Sequence, residues 1–375
     1  MEKPDNPFVI QGYFGSDYFC DRKSENELVS TSLKNGVNVV LISPRRIGKS
    51  ALIHHCFHGL KGKTIFVDLW SVQNMSELVE RFATAIFSQY KKPSLSMLKS
   101  LGNLFKSLQV SLGVDPIAGT PELSFEINPK HGPAPALADL FAFLNSEKQQ
   151  FYIALDEFQQ ITAFPENNAE ALLREHIQRS KNVHFIFSGS HQGMMTMMFS
   201  NPKRPFFQSA TPLHLGKIAP TTYSAFIIKQ FKKHKKTIDK EFTYELLDWC
   251  RNHTYYIQYF CNRLFSRGGK VMTPEDLKAV KHAILKEREP EYALFRNILG
   301  RQHWQLLIAI ACEEPAQKIT SGAFISKYQL SAASTVSQNL KSLIDKQLIE
   351  YEDDGYILSD VFFSRWLRYY QTGDI

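Results

Sequence analysis

The residues best suited to chemistry lie in the run Ser43-Pro44-Arg45-Arg46-Ile47-Gly48-Lys49-Ser50, followed by Ala51. Gly48, Lys49 and Ser50 match the last three positions of the phosphate-binding loop pattern GxxxxGK[ST]. Such a loop turns backbone N–H groups toward phosphate oxygens, and the following helix adds the positive end of its dipole. Gly48 permits close approach, Lys49 would neutralise the β- and γ-phosphates, and the Ser50 hydroxyl would bind magnesium. The pattern's first glycine is replaced by Ser43, so the motif alone is weak. A second piece is ALDEF, where Asp156 and Glu157 end an apolar run. There Asp156 would hold the magnesium ion, usually through water, and Glu157 would polarise the attacking water.

These side chains need elements to place them. NVVLI at 38–42 is apolar throughout, as suits a strand buried on both faces, and ALIHHCFHGL after the loop reads as a helix. TIFVDLW (64–70), FYIALDE (151–157) and NVHFIFSGS (182–190) read as further strands. SELVERFATAIFSQY (76–90), ALADLFAFLN (136–145) and EALLREHIQRS (170–180) have helical spacing. Residues 108–127, around Gly113, Pro116 and Gly119, read as an inserted β-hairpin. Alternating strands and helices imply an α/β, doubly wound parallel sheet with ligands at the strands' carboxyl ends. After Leu215 helical patterns follow one another, and Thr273, Pro274 and Asp276 mark a helix start. WQLLIAIA, SGAFISKYQL and ASTVSQNLKSLIDKQ then suggest three helices, and LIEYE-DDG-YIL a hairpin with Asp-Gly at its turn, which is a winged-helix pattern. The expected domains are 1–216 for the core, 217–290 for a helical module and 291–375 for the winged helix.

FCDRKSENEL (19–28), LISPRRIGKSAL (41–52), ALDEFQ (154–159) and FSGSHQGMM (187–195) together resemble the archaeal-type AAA+ ATPase family. That family is akin to the STAND signalling NTPases and common in archaea and Bacteroides-type bacteria. PFFQSATPLHLGKIAP (205–220), HTYYIQ (253–258) and the terminal FFSRWLRYY fit its layout, so the resemblance spans nearly the whole chain. It implies an AAA+-type P-loop core, a helical lid and a C-terminal winged helix, with ATP binding and magnesium-dependent hydrolysis. It also implies that residues 43–51 cradle the nucleotide, that Arg22 lies near its base, and that Ser188 or Ser190 reaches toward the γ-phosphate. The chain departs from the lid pattern at Asn252 and Thr254, where relatives have glycine and proline. It also has Ser209 where many relatives carry an arginine, and Arg204 is the nearest substitute. Arg45 and Arg46 read either as charge stabilisers, as contacts to a partner or as solvated loop residues.

Composition bounds the rest. The 375 residues suffice for two or three domains. With 43% apolar and 22% charged residues, the balance is that of a globular chain and excludes extensive disorder. Lys and Arg (44) exceed Asp and Glu (37) by seven, which permits an anionic partner without requiring one. Five dispersed cysteines form no Cys-x-x-Cys pair, which argues against a disulfide framework or zinc site. MEKPDNPFVIQG has no apolar signal-peptide stretch. The run Trp304–Cys312 is about half of the ~20 residues a membrane span needs, so a cytoplasmic protein is expected.

The basic run 229–240 reads as a solvated helix end or a nucleic-acid contact. His54 and His55 read as ordinary helix residues, and the Met194–Phe199 run as core or interface. In the winged helix, Val336, Leu340, Leu343 and Ile344 are expected inside, and Ser334, Ser337, Gln338, Lys341 and Ser342 outside. Glu350, Glu352, Asp353 and Asp354 on the wing would repel phosphates, with Arg365 and Arg368 offsetting them in part, so a protein partner is expected before DNA. The resulting expectation is a slow magnesium-dependent ATPase acting as a nucleotide-controlled switch or motor. The alternative is a non-hydrolysing, nucleotide-binding scaffold or DNA-binding protein.

Overall fold

The structure, a computed structural model, describes residues 3–89, 105–114, 121–267, 269–352 and 354–373. The chain divides into two compact units. The first runs from Gly12 to Lys217, and the second comprises the N-terminal residues through Gln11 together with the chain from Ile218 onward.

In the first unit, five strands form one sheet in the order β2-β5-β6-β1-β7, every neighbouring pair parallel. They are β1 (Val39–Ile42), β2 (Lys63–Asp68), β5 (Phe151–Asp156), β6 (Val183–Gly189) and β7 (Thr211–His214). Strands β1 and β5 are buried along their whole length, as their unbroken apolar runs require. Side chains alternate between the faces. Val40, Ile42, Ile153, Leu155, Phe185 and Phe187 pack in one layer with helices α3 (Met75–Phe87) and α4 (Pro133–Ser146). Val39, Leu41, Ala154 and Ile186 pack in the other with α1 (Lys23–Lys34) and α2 (Lys49–His58). Helices α5 (Ala169–Arg179) and α6 (Gln192–Ser200) flank β6 in sequence. Within the methionine run, Met195, Met198 and Phe199 join the core while Met197 is exposed.

The expected insertion is an antiparallel pair, β3 (Leu108–Val114) with β4 (Pro121–Ile127), Val110 opposite Phe125. Phe125 stacks on Phe87 of α3, ring centroids 4.9 Å apart, and so fixes the hairpin to the core. Tyr90, Pro116 and Gly119, part of the sequence expectation, lie outside the described residues.

The second unit is helical, from α7 (Pro220–Lys233) through α8 (Lys240–Trp249), α9 (Thr254–Ser266) and α10 (Pro274–Ile298). Thr273 and Asp276 form the expected reciprocal capping box at the start of α10. This helix passes through Pro290, so a boundary at 290 falls inside one helix and not in a linker. Packing explains its continuity: Tyr292 is buried, its ring 4.9 Å from Phe363 and 5.7 Å from Trp366. Arg251 and Asn252 both take left-handed backbone, φ 50° and 51°. Asparagine tolerates that region better than most residues, so Asn252 suits the turn without a glycine.

Helices α11 (Arg301–Glu313), α12 (Gly322–Lys327) and α13 (Ala333–Asp345), then β8 (Ile349–Glu352) and β9 (Gly355–Leu358), form the winged helix, and α14 (Val361–Thr372) follows. Two expectations fail here. Ile344 is 40% exposed rather than buried, because Val336, Leu340 and Leu343 alone fill the inner face of α13. Ser342 is half-buried rather than exposed. At the hairpin it is Asp354 (φ 62°), not Gly355, that takes the left-handed turn position. Gly355 serves close approach instead: a Cβ there would lie 2.8 Å from the Cβ of Pro315 and 2.9 Å from its carbonyl carbon. Asp353 lies outside the described residues.

The N-terminal segment was expected in the core but packs in the second unit. Phe8 is fully buried among Phe226, Phe231 and Phe265, with ring centroids 5.4–6.5 Å away. Asn6 Nδ2 donates to the Asn262 carbonyl at 2.9 Å, and Asn262 Nδ2 returns a bond to the Phe8 carbonyl at 2.8 Å. Among the described residues, no helix is long and apolar enough to cross a membrane.

Candidate functional site

Strands β1, β6 and β5 are neighbours, so their carboxyl ends bring residues 43–50, 188–190 and 156–157 to one edge of the sheet. After β1 the chain forms the loop 43–48, and Lys49 begins α2. Within the loop, positive φ occurs at Arg46 (61°) and Gly48 (102°). Ser43 does not share it, which is why the motif's first position accepts a serine. Ser43 is fully buried and donates to the Pro44 carbonyl at 3.0 Å. Ile47 is buried in the layer under α1 and α2, anchoring the loop, while Pro44 and Ala51 are half-buried.

Lys49 crosses the loop, its Nζ donating to the Pro44 carbonyl at 3.2 Å. It is 6% exposed, and burial pulls its pKa below the ordinary lysine value while the Glu157 and Asp156 carboxylates push it up. An ammonium so placed gains from a phosphate as a further counter-charge. Ser50 Oγ donates to Asp156 Oδ2 at 2.7 Å, joining the two expected magnesium-binding residues. The other oxygen, Oδ1, accepts from Ser188 Oγ at 2.5 Å and from the Glu157 backbone N–H at 3.1 Å. Ser188 is fully buried, and its hydroxyl is committed to supporting Asp156.

Glu157 has left-handed backbone (φ 52°) and leads into a short 3-10 helix, Phe158–Ala163. Its Oε2 accepts from Gln159 Nε2 at 2.5 Å, Ser190 Oγ at 2.7 Å and the Ser190 N–H at 3.3 Å. Arg22 also has positive φ (65°) and is nearly buried. Its guanidinium donates to the Gly216 carbonyl at 2.6 Å and to Glu25 at 2.7 Å. Arg45 lies over the exposed ring of Trp70, 5.2 Å from its centroid, and Arg46 is exposed. Arg204 is ion-paired with Glu170, and Ser209 Oγ donates to the Phe206 carbonyl at 2.7 Å. His55 stacks on Phe19 (4.4 Å) and hydrogen-bonds the Tyr13 hydroxyl at 2.7 Å; His54 stacks on Phe66 (4.7 Å). Burial lowers the pKa of both imidazoles.

The structure therefore brings together Lys49, Ser50, Asp156, Glu157 and Ser188, with Ser190 beside them. Sequence reasoning missed Gln159 and Trp70. Gln159 follows Glu157 by two residues in ALDEFQ, but only the left-handed turn at Glu157 reveals that its amide reaches back. Two hydroxyl and carboxylate oxygens are a hard donor set suited to magnesium completed by water and phosphate. Among the described residues there is no cluster of three or more His, Cys, Asp or Glu residues able to hold a metal by themselves.

A family model described as "Probable winged helix domain" matches residues 290–369. Among solved structures, a Walker-type ATPase of Pyrococcus abyssi is similar over 96% of this chain and 99% of its own, with TM-score 0.67 and 17% identity. The Aeropyrum pernix ORC2 protein, solved as ADPNP–ADP complexes, is similar over 98% of this chain and 99% of its own (TM-score 0.57, 13% identity). The Aeropyrum pernix ORC1 protein, solved in complex with DNA, is similar over 97% and 96% (TM-score 0.53, 12% identity). No curated protein sequence matches. The fold is the AAA+-type P-loop fold. To it the chain adds a C-terminal winged helix.

Proposed function

We propose that this chain binds ATP with magnesium at the carboxyl edge of its sheet and hydrolyses it slowly, as a nucleotide-controlled switch or motor. The observation that carries the reading is the Ser50–Asp156 contact of 2.7 Å beside the buried Lys49 ammonium. A phosphate-binding loop, a cation for the β- and γ-phosphates and a magnesium-binding pair thereby share one edge. Ser50 and Asp156 would hold magnesium, which supplies charge neutralisation at the phosphates. Lys49 adds a fixed positive charge, Ser188 holds the Asp156 carboxylate in place, and Glu157 orients and deprotonates water. Arg22, pinned between Glu25 and Gly216, would flank the base, and Arg45 and Arg46 stand exposed on the loop as further cations.

The test is phosphate release by the purified chain. Glu157→Gln should retain ATP binding and lose turnover ~10²-fold or more, as expected for removal of a general base. Asp156→Asn should alter the magnesium dependence of both binding and turnover. Equal turnover in wild type and Glu157→Gln would leave a nucleotide-binding scaffold.

The winged helix fits a protein partner better than a DNA duplex. Its wing carries Glu350, Glu352 and Asp354. Arg365, expected to offset them, instead caps α8, donating to the Trp249 carbonyl at 2.9 Å and the Asp248 carbonyl at 3.3 Å. Tyr351 and Ile344 are exposed, giving this region apolar contact area.

A further inference from the structure

Trp70 is a large aromatic side chain left 55% exposed, although the turn that carries it is firmly held. Its N–H donates to Asp68 Oδ1 at 2.9 Å, and its carbonyl accepts from Gln160 Nε2 at 3.3 Å. The fully buried Leu69 beside it donates to the Asp156 carbonyl at 3.0 Å. Arg81 clamps the same turn from α3, donating to the Asp68 carbonyl at 2.9 Å and to Ser71 Oγ at 3.0 Å. The ring so presented lies under the Arg45 guanidinium, 5.2 Å from its centroid. We propose that Trp70 is a positioning residue that holds Arg45 across the phosphate edge, where Arg45 meets the γ-phosphate of ATP and the charge that develops on it. The inference rests on the reading of residues 43–50 as a phosphate-binding loop.

The order of the sheet makes this contact informative. Arg45 follows β1 and Trp70 follows β2, and β6 and β5 lie between those two strands. At about 4.8 Å per strand, β1 and β2 stand about 14 Å apart. An arginine that starts beside β1 and rests on a ring beside β2 therefore crosses the carboxyl ends of β6 and β5, which carry Ser188, Ser190, Asp156 and Glu157. This is the side away from Arg22, whose guanidinium bonds to Gly216 just past β7. The charges agree with that placement. Burial lowers the Lys49 pKa, the Glu157 and Asp156 carboxylates raise it, and the Arg45 guanidinium lowers it again. Arg45 thus stands within electrostatic reach of the ammonium that a phosphate would meet. Arg204, by contrast, is ion-paired with Glu170. An aromatic face orients a guanidinium without neutralising it, as a carboxylate would. Arg45 so held would supply from this chain itself the positive charge that phosphoryl transfer calls for at the equatorial oxygens.

The experiment titrates ATP and ADP by calorimetry into full-length wild type, Arg45→Ala, Trp70→Ala, Trp70→Phe and the Arg45→Ala/Trp70→Ala double variant. Phosphate release at saturating ATP is measured for each. Arg45→Ala should weaken ATP about tenfold but ADP less than about twofold, because ADP lacks the γ-phosphate, and should lower turnover ~10-fold or more. Trp70→Ala should weaken ATP and slow turnover about threefold, the equivalent of one exposed cation–aromatic contact, with ADP affinity unchanged. Trp70→Phe, which keeps a ring face, should recover most of that loss. In the Arg45→Ala background, Trp70→Ala should add nothing. An equal loss in both backgrounds would mean that Trp70 acts without Arg45, and the proposal fails. It fails too if Arg45→Ala weakens ATP and ADP alike, or binds and turns over ATP as wild type does. Arg45→Ala, at an exposed loop position, gives an answer of its own should Trp70→Ala not fold. If Lys49→Ala keeps wild-type ATP affinity, it is the phosphate-binding loop that fails, and the role of Arg45 goes with it.

Discussion

Lys49 carries the most exposed prediction at the residue scale, because among the loop cations it alone is buried. Lys49→Ala should weaken ATP binding at least ~10-fold, or ~1.4 kcal/mol, with the fold intact. A calorimetric titration showing wild-type affinity would remove the phosphate-binding loop from the account. Much of this site was legible before any coordinates, because Lys49, Ser50, Asp156 and Glu157 belong to short motifs whose spacing is set by strand-to-helix geometry. The missing first glycine leaves no backbone strain, since positive φ falls on Arg46 and Gly48 rather than on Ser43. Ser190 and Gln159 were not legible as partners of Glu157. Their meeting depends on one left-handed residue, and glutamate gives no sequence sign of adopting it.

Two elements of the second unit carry predictions about stability. Arg251 and Glu314 form a half-buried ion pair at 2.7 Å. Arg251 also donates to the Leu358 carbonyl at 2.7 Å, and Glu314 accepts from the Leu358 N–H and from Ser364 Oγ. This network ties the α8–α9 turn to β9 and α14. Arg251→Ala leaves the half-buried Glu314 carboxylate with one strong partner gone, and should cost about 1.5–3 kcal/mol in urea denaturation. An unchanged midpoint would mean that solvent satisfies Glu314. Gly355→Ala should be destabilising by about 1–3 kcal/mol, because the new methyl group meets Pro315 where neither backbone can yield. Sequence logic named this glycine as a turn residue. The pattern Asp-Gly does specify a hairpin, but it cannot distinguish a glycine that turns from one that another segment crosses. The helix through Pro290 has a similar origin: a proline locally favours a stop, and burial of Tyr292 two residues later overrides it.

Taken whole, the chain carries a formal charge of +7 yet presents an acidic wing. It should therefore bind duplex DNA no more tightly than the micromolar range typical of non-specific contact near physiological salt. A titration of labelled duplex at several salt concentrations checks this. Submicromolar affinity falling steeply with salt would transfer the winged helix to nucleic-acid recognition. The division into two units was only partly visible, because the segment around Phe8 has no motif and its aromatic partners come from two distant helices, α7 and α9. That segment also has a consequence for the order in which the protein is made. Asn6 and Phe8 leave the ribosome well before Asn262, which bonds to both and is 254 residues beyond Phe8. At roughly 5–20 residues per second the wait is about 13–50 s. The contiguous unit Gly12–Lys217 has time to fold in that interval, while the aromatic ring ahead of it stays in water. A bulky fusion ahead of Asn6 would thus be felt by the unit that is synthesised last.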